Sequence, residues 1–576
     1  MLKLFRFLKP YTFTIICIFV LILLQALSDL YLPTLMSDIV NRGIINGETS
    51  YIWSMGGVML LISIGGTIVA IFASFYASKV SSMFGKIVRK KVFTKVEGFS
   101  LQEFDQVGTA SLITRTTNDI NQVQQVLLMM LRMMVMAPMM CIGGLIMAFS
   151  KDSHLSLVLL VSIPVLVAAI LLIIRKGMPY FKIMQKKLDR INLVLRESLT
   201  GIRVIRAFNR TGYEQKRFTD SNADLMNTAV KVNQIMAFMM PLMMLIMNLS
   251  TIGIVWFGSQ RIDMGEMFIG DLMAFIQYAM QIMFSLVMMS MMIVMLPRAQ
   301  VSATRINEVL DIEPTITERN NRSVKDAHLL GTVTFNNVSF TYPGAEKPAI
   351  TNINFECKPG EITAIIGGTG SGKSTIINLI ERFFDCNEGS IEFSGVNVKD
   401  WSVEQLRGNI SLVPQKTTIF SGTISENIRQ GKQDASEAEV REAATIAQAI
   451  GFVEKMEHGF DTILAQGGTN ISGGQKQRLS IARALVRRPS LYLFDDSFSA
   501  LDYKTDSTLR AALKDQVSDA AMIIVAQRIS TVMNADQIIV LDEGELVGKG
   551  THAELLESSD VYREIVQSQL TEEESA

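Results

Sequence analysis

The sequence predicts two architectures in one chain: an all-α membrane domain of six long transmembrane helices, then a soluble α/β domain. Three observations predict it. With 49% hydrophobic residues, 19% charged residues and a mean hydropathy of +0.29, the 576-residue chain is too apolar for an ordinary soluble enzyme and too long for one domain. Six stretches in the first half are apolar over about 20 residues or more, the length a helix needs to cross a hydrocarbon core. From Gly331 onward, short β-like runs alternate with helical segments, the pattern of a largely parallel sheet. The expected boundaries are 1–310 for the membrane domain, 311–330 for a linker and 331–576 for the soluble domain.

The apolar stretches run near 12–36, 51–77, 126–149, 155–174, 235–258 and 268–296. Lys3, Arg6 and Lys9 precede the first, but no small-residue cleavage site follows, so it reads as an anchor with a cytosolic N-terminus. Lysine and arginine set the orientation. Lys79, Lys86, Arg89, Lys90, Lys91 and Lys95 collect after the second span, and Arg175, Lys182, Lys187, Arg203 and Arg217 after the fourth, so both connections belong inside. These connections are too long for turns and poor in Gly and Pro. They read as the spanning helices continuing into the cytosol and reversing there. A formal net charge of −1 gives no reason to expect a nucleic-acid partner. Cys17, Cys141, Cys357 and Cys386 follow no metal or disulfide spacing and read as reduced packing residues.

After Pro297 the apolar character stops, and 298–318 reads as a polar helical linker. Strands are expected at 333–340, 362–366, 410–413, 491–494 and 522–525. Gly367-Gly368-Thr369-Gly370-Ser371-Gly372-Lys373-Ser374 joins one of these runs to an apolar helix, which satisfies the G-x-x-x-x-G-K-[ST] pattern in its required context. Backbone N–H groups of such a loop close on phosphates at a helix N-terminus. Lys373 would reach the β and γ phosphates of ATP, and Ser374 would ligate Mg²⁺ opposite Asp495, which ends the run 491–494. Thr375 extends the same cofactor-binding set.

With these residues in place, the chain resembles a half-transporter of the ABC exporter superfamily over nearly its full length. Ile471-Ser472-Gly473-Gly474-Gln475 is similar to the family's LSGGQ signature with one leucine-to-isoleucine change. The resemblance implies that Tyr342 stacks on adenine, that Gln415 senses Mg²⁺ and the membrane domain, and that 499–502, ending in Asp502, forms the loop after the acids. It also implies an ABC-exporter-type membrane domain, a P-loop NTPase domain in the cytoplasm and a place in the bacterial cell membrane. In the family the signature meets ATP held by the opposite cassette, so a chain with one cassette implies a dimer with two composite sites. The segments 104–108 with 115–119, and 197–218, resemble the family's coupling segments. Basic helix anchored at the lipid surface is the other reading, and the family match favours coupling.

Two residues depart from the family pattern. Asp496 stands where the catalytic base is a glutamate, and Gln527 where the switch residue is a histidine; the chain's histidines are His154, His328, His458 and His552. Shortening the side chain withdraws the carboxylate by about 1.5 Å, and a misplacement of about 1 Å can cost on the order of 10²-fold in rate. Glutamine keeps hydrogen-bonding capacity but carries no proton to shuttle. Either change alone has an innocent reading as drift. Together they resemble the degenerate site of heterodimeric bacterial multidrug exporters. The implied partners are a second half-transporter carrying the consensus Glu and His, the lipid bilayer, and small amphipathic substrates. Lipid or peptide cargo, and a nucleotide-gated channel or regulatory subunit, are the alternatives.

Substrate information is confined to the spans. Methionines, 35 in all, cluster at 129–140, 236–247 and 280–295, where they either line an adaptable pocket or pack against core and lipid. Arg132, Asn248, Gln277 and Gln281 are intramembrane polar residues, costly in lipid and therefore candidate substrate contacts, with structural pairing as the other reading for Arg132. Asp29 and Asp271 lie toward outer ends, as parts of a gate or merely solvated.

Overall fold

The protein is described by a computed structural model covering residues 1–317, 331–516 and 519–573; the expected linker residues 318–330 lie outside the described part. Two compact units emerge, residues 1–97 with 109–312, and residues 98–108 with 313–576.

Among the described residues, the first unit contains six helices long and apolar enough to span a membrane: α1 (Leu2–Ile44), α2 (Thr49–Glu97), α4 (Thr109–Lys151), α5 (Ser156–Thr200), α7 (Thr211–Asp263) and α8 (Ile269–Asp311). Short helices α3 (Leu101–Val107) and α6 (Ile202–Ala207) sit at the two reversals. The spanning helices therefore do continue well past their apolar stretches, as the basic connections suggested. Their sides remain apolar: Leu61, Leu160 and Trp256 are 70%, 69% and 65% exposed, which suits contact with acyl chains. Inside, Leu30, Leu159, Ile254, Phe275, Tyr278 and Ile282 form a core, and the Tyr278 hydroxyl donates to the Leu30 carbonyl at 3.0 Å. All four cysteines are free thiols.

Two expectations need correction. The polar stretch after Pro297 is the end of the last spanning helix rather than a separate linker helix, and it stops at Asp311, short of the expected 318. Proline at 297 does not end the helix, because its missing N–H interrupts a single backbone bond. Residues 98–108 also group with the second unit rather than with the membrane domain. Buried Glu103 explains this: its carboxylate accepts from the Ser100 N–H at 2.7 Å and from the Thr315 hydroxyl at 2.9 Å. Burial would raise its pKa, but these hydrogen bonds hold it below the usual carboxylate value.

Among the described residues the second unit has two main sheets and a short antiparallel pairing of 422–423 with 463–464. The larger runs β10-β9-β3-β8-β7-β6, from β10 (Glu545–Gly550), β9 (Gln537–Asp542), β3 (Ile362–Gly367), β8 (Ala521–Val525), β7 (Leu491–Asp495) and β6 (Ile410–Val413), parallel except for the β9–β10 pair. The smaller is antiparallel, β2-β1-β4-β5, from β2 (Ile350–Cys357), β1 (Val333–Phe340), β4 (Glu388–Phe393) and β5 (Val396–Asn397). Residues 333–340 thus belong to an antiparallel sheet, contrary to the parallel alternation read from the sequence. The connection from β1 to β2 is too short for a parallel crossover. Helices α9 (Lys373–Ile380), α10 (Gly473–Leu485), α11 (Tyr503–Gln516) and α12 (Asp560–Glu573) complete the parts that position the site.

Candidate nucleotide site and its relatives

Parallel pairing brings the chemistry to one sheet edge. In the central ladders Val525 pairs with Asp495 and Leu541 with Gly367, so the P-loop, the acid pair and the switch loop all leave the carboxyl ends of neighbouring strands. Ligands of open α/β sheets bind at such ends.

The loop between β3 and α9 requires its glycines. A Cβ on Gly367 would lie 2.1 Å from the Leu541 carbonyl oxygen, and Gly372 holds φ +94° with a Cβ position 2.7 Å from the Ala349 oxygen. Around Gly368 and Gly370 a Cβ would meet nothing within 4 Å, so the side of the loop that a phosphate would approach is open. Within this turn Lys373 Nζ donates to the carbonyls of Gly367 and Gly368 at 2.9 and 2.6 Å, and reaches Ser371 Oγ at 3.5 Å. Burial lowers the Lys373 pKa, and the charges of Asp496 and Asp495 oppose that shift. Ser374 Oγ donates to Asp495 Oδ1 at 3.0 Å, which pairs a hydroxyl and a carboxylate of the hard-oxygen type Mg²⁺ prefers. An open glycine cradle, a lysine folded into it and this oxygen pair fit a magnesium nucleotide.

Tyr342 is held edge-on by Phe340 and Phe384, with centroids 4.9 and 5.3 Å away, and its hydroxyl lies 3.2 Å from Thr375 Oγ1. The sequence-derived base platform is therefore braced from the P-loop helix. Thr369 and the other P-loop residues sit in the same turn.

Asp496 follows β7 in a left-handed conformation, φ +47°, with its N–H bonded to the Val525 carbonyl at 2.9 Å. Its Oδ2 accepts from Gln527 Nε2 at 3.0 Å and from Gln415 Nε2 at 3.4 Å. Asp496 thus joins the switch position, Gln527, to Gln415, the residue expected to sense Mg²⁺. Burial raises the Asp496 pKa, while Gln415, Lys373 and Arg528 pull it down. Asp495 is also raised, chiefly by burial and further by its neighbour Asp496, against the Ser374 bond and Lys373.

Sequence reasoning missed Gln569, on α12. Its Oε1 accepts from the Ile529 N–H and its Nε2 donates to the Gln527 carbonyl, both at 2.7 Å, so it fixes the switch loop from both sides. No local pattern could flag it, because it acts from 42 residues downstream.

The signature occupies a helix start. Ser472 caps α10 in a reciprocal box: the Gln475 N–H donates to Ser472 Oγ at 3.3 Å and the Ser472 N–H to Gln475 Oε1 at 2.9 Å. Ser472 and Gly473 are exposed, and Gly474 is half-buried against the Ala500 carbonyl. Among the described residues no hydrogen bond or ion pair joins this segment to the P-loop of the same chain. Asp502, at the end of the loop after the acids, caps α11 by accepting from the Thr505 N–H at 3.0 Å, which with the Thr505 hydroxyl lowers its pKa.

In the membrane unit the polar candidates separate. Gln281 Nε2 donates to the Asp29 carbonyl at 3.2 Å, whereas Asn248, Gln277 and Arg132 are exposed. Asp271 is tied down: it accepts from Lys151 Nζ and Ser37 Oγ, both at 2.7 Å.

These features have clear relatives. Residues 15–286 match the model of the ABC transporter transmembrane region and residues 350–499 that of the ABC transporter cassette. The chain is 42% identical, over 97% of both chains, to an uncharacterised ABC transporter ATP-binding protein of Mycobacterium tuberculosis. It is 30% identical to an ATP-dependent lipid A-core flippase of Yersinia pestis over 98% of this chain and 96% of that one. A bacterial Atm1-family ABC exporter with ATP bound shares the fold, with a TM-score of 0.81 at 24% identity over 98% of both chains. The chain belongs to the ABC transporter family: it is a multi-pass bacterial membrane half-transporter of an ATP-driven exporter, its cytoplasmic cassette binds ATP with Mg²⁺, and such half-transporters act as dimers in the bilayer.

Proposed function

We propose that this chain is the poorly hydrolysing half of a heterodimeric exporter of hydrophobic or amphipathic compounds, of the multidrug-efflux type. It would bind ATP at its own P-loop through Tyr342, Lys373, Ser374 and Gln415, with Asp495 at the metal, and lend Ser472, Gly473 and Gly474 to the active site whose P-loop belongs to a partner. The observation that carries this reading is the state of Asp496. Its carboxylate is one methylene short, and one of its two oxygens, Oδ2, already accepts from Gln527 at 3.0 Å and from Gln415 at 3.4 Å. A base must lie within hydrogen-bond reach of the proton it takes. The switch residue supplies an amide where an imidazole could shuttle that proton.

The test is ATP turnover. Purified alone, the chain should bind ATP but hydrolyse it slowly. Mixed with a half-transporter carrying Glu and His at the corresponding positions, it should form a complex with brisk turnover. Asp496→Glu combined with Gln527→His should restore hydrolysis at this P-loop by about 10²-fold or more. Fast turnover by the chain alone would refute the proposal. The relationship to a lipid A-core flippase favours lipid as the second cargo reading; vesicle assays with labelled lipid and with cationic dyes separate the two.

A further inference from the structure

Among the described residues of the membrane unit, one apolar cavity is lined by a charged side chain that has no partner. About 270 Å³ in volume, it is bounded by Gln125, Met129, Arg132, Met133 and Met136 of α4 and by Met288 of α8. The α4 residues recur at helical spacing and share one face. Arg132 is permanently charged, and an arginine at mid-membrane depth costs about 2.5–3.5 kcal/mol on insertion scales. Such charges are ordinarily offset by a carboxylate. Here, among the described residues, Arg132 has no ion-pair or hydrogen-bond partner, and neither has Gln125. Between Ile120 and Lys151, α4 carries no acid, and α8 carries none between Asp271 and Glu308.

The contrast with the outer end is informative. There Lys151 pairs with Asp271 at 2.7 Å, and Arg261 with Asp152 at 2.6 Å and Glu266 at 2.7 Å. Lys151 and Arg261 at the outer end are thus held by carboxylates, whereas Arg132 is left open. Thioethers alone could hold a soft cation. Arg132 in the same cavity opposes that, since like charges about 4 Å apart repel by ~4 kcal/mol at an effective dielectric of 20.

We propose that the Arg132 cavity is a binding site for an anionic amphiphile: one carboxylate or phosphate group on the Arg132 guanidinium and the Gln125 amide, with its apolar chain on the methionines. The planar guanidinium matches such oxyanions bidentately, and methionines adapt to chains of different shape. A volume just below the ~300–1,000 Å³ of drug-sized sites favours one headgroup with the first part of a chain over a many-chained lipid. This names the cargo class within the proposed export of amphipathic compounds and rests on that reading.

The experiment is equilibrium binding to the full chain in nanodiscs of zwitterionic lipid. Dodecanoate, dodecyl phosphate and dodecyltrimethylammonium compete against a fluorescent dodecanoate analogue. The two anions should bind at least about tenfold more tightly than the ammonium, a difference of ~1.4 kcal/mol. Arg132→Gln should abolish that preference and Arg132→Lys should keep most of it. In nanodiscs containing phosphatidylglycerol, loss of probe binding identifies bilayer lipid as the source of the anion, and unchanged binding identifies the free amphiphile; both support the site. Equal binding of anion and cation by the unsubstituted chain, which needs no variant to fold, overturns the inference, as does an unchanged preference in Arg132→Gln. Because no ATP turnover is read, rapid hydrolysis by the chain alone would refute the heterodimer reading and leave this result standing.

Discussion

In the cassette the side chains that would surround a nucleotide are held by their own neighbours, whereas in the third spanning helix a full positive charge stands open. Lys373 is anchored by two carbonyls, Ser374 by Asp495, Asp496 by two amides and Ser472 by its capping box. Arg132 has no such partner among the described residues. A site that meets the same ligand every cycle gains from fixed geometry, because orientation is settled before binding. A site for varied cargo leaves its polar group to be satisfied by whatever arrives, and surrounds it with flexible methionines. At the outer end of the membrane unit Lys151 and Arg261 side with the cassette, since carboxylates hold them.

The comparison breaks most visibly at Asp152. Its side chain is 4% exposed, pairs with Arg261 and accepts from the Leu155 N–H at 2.7 Å in the turn before α5. Asp152→Ala leaves Arg261 to Glu266 alone and should cost about 3 kcal/mol, the low end for breaking a buried pair because Arg261 keeps one carboxylate, read as a drop in thermal unfolding temperature in detergent. A change within error would mean that rim pairing contributes nothing. Next comes Lys373→Ala, which should weaken ATP binding about a hundredfold, or ~2.7 kcal/mol, by removing charged contacts to phosphate; equilibrium titration with a fluorescent ATP analogue measures it.

Glu381 sharpens the cassette side by showing burial winning over pairing. Only 6% exposed, it is pushed by burial up to about 7, against the pull of Arg407 and Arg487. The folded-state value lies above the ordinary 4.5. The protonated carboxyl therefore favours the folded state: its contribution is complete below about pH 4.5 and is lost as pH rises through about 7. Glu381→Gln should flatten the stability profile across that window, by an amount on the order of 3 kcal/mol, in pH-dependent unfolding scans. An unaltered profile would show that the two arginines fully compensate the carboxylate. The smallest effect is expected for Ser472→Ala, about 1 kcal/mol from the lost cap. In a complex with a hydrolysing half it should also slow turnover at the partner's P-loop; an effect on stability alone would assign Ser472 only to the helix end.

Much of this was legible in the residues. Each of the six spans appears as an apolar run, because a helix in lipid must satisfy its backbone internally and cover its sides with apolar groups. The P-loop is legible because phosphate binding imposes contiguous glycines and a lysine at fixed offsets. The antiparallel sheet was not: residues 350–357 and 388–393 carry mixed patterns, and the pairing of 388–393 with 333–340 joins strands separated in sequence by β2 and β3. The grouping of 98–108 with the cassette rests on the Glu103–Thr315 contact across more than 200 residues, which no local window contains.

At the site the division falls in the same way. Sequence alone determined which chemical groups exist: a phosphate loop, an aspartate for a glutamate, a glutamine for a histidine, an arginine among methionines. Tertiary structure alone decided what each group touches. It put Gln527 and Gln415 on one oxygen of Asp496, used Gln569 to hold the switch loop, turned Asp502 to capping and left Arg132 open. The reason is physical. Composition and spacing fix the chemistry a chain can offer, but hydrogen bonds and desolvation act over a few ångströms, and only folding brings distant residues within that range.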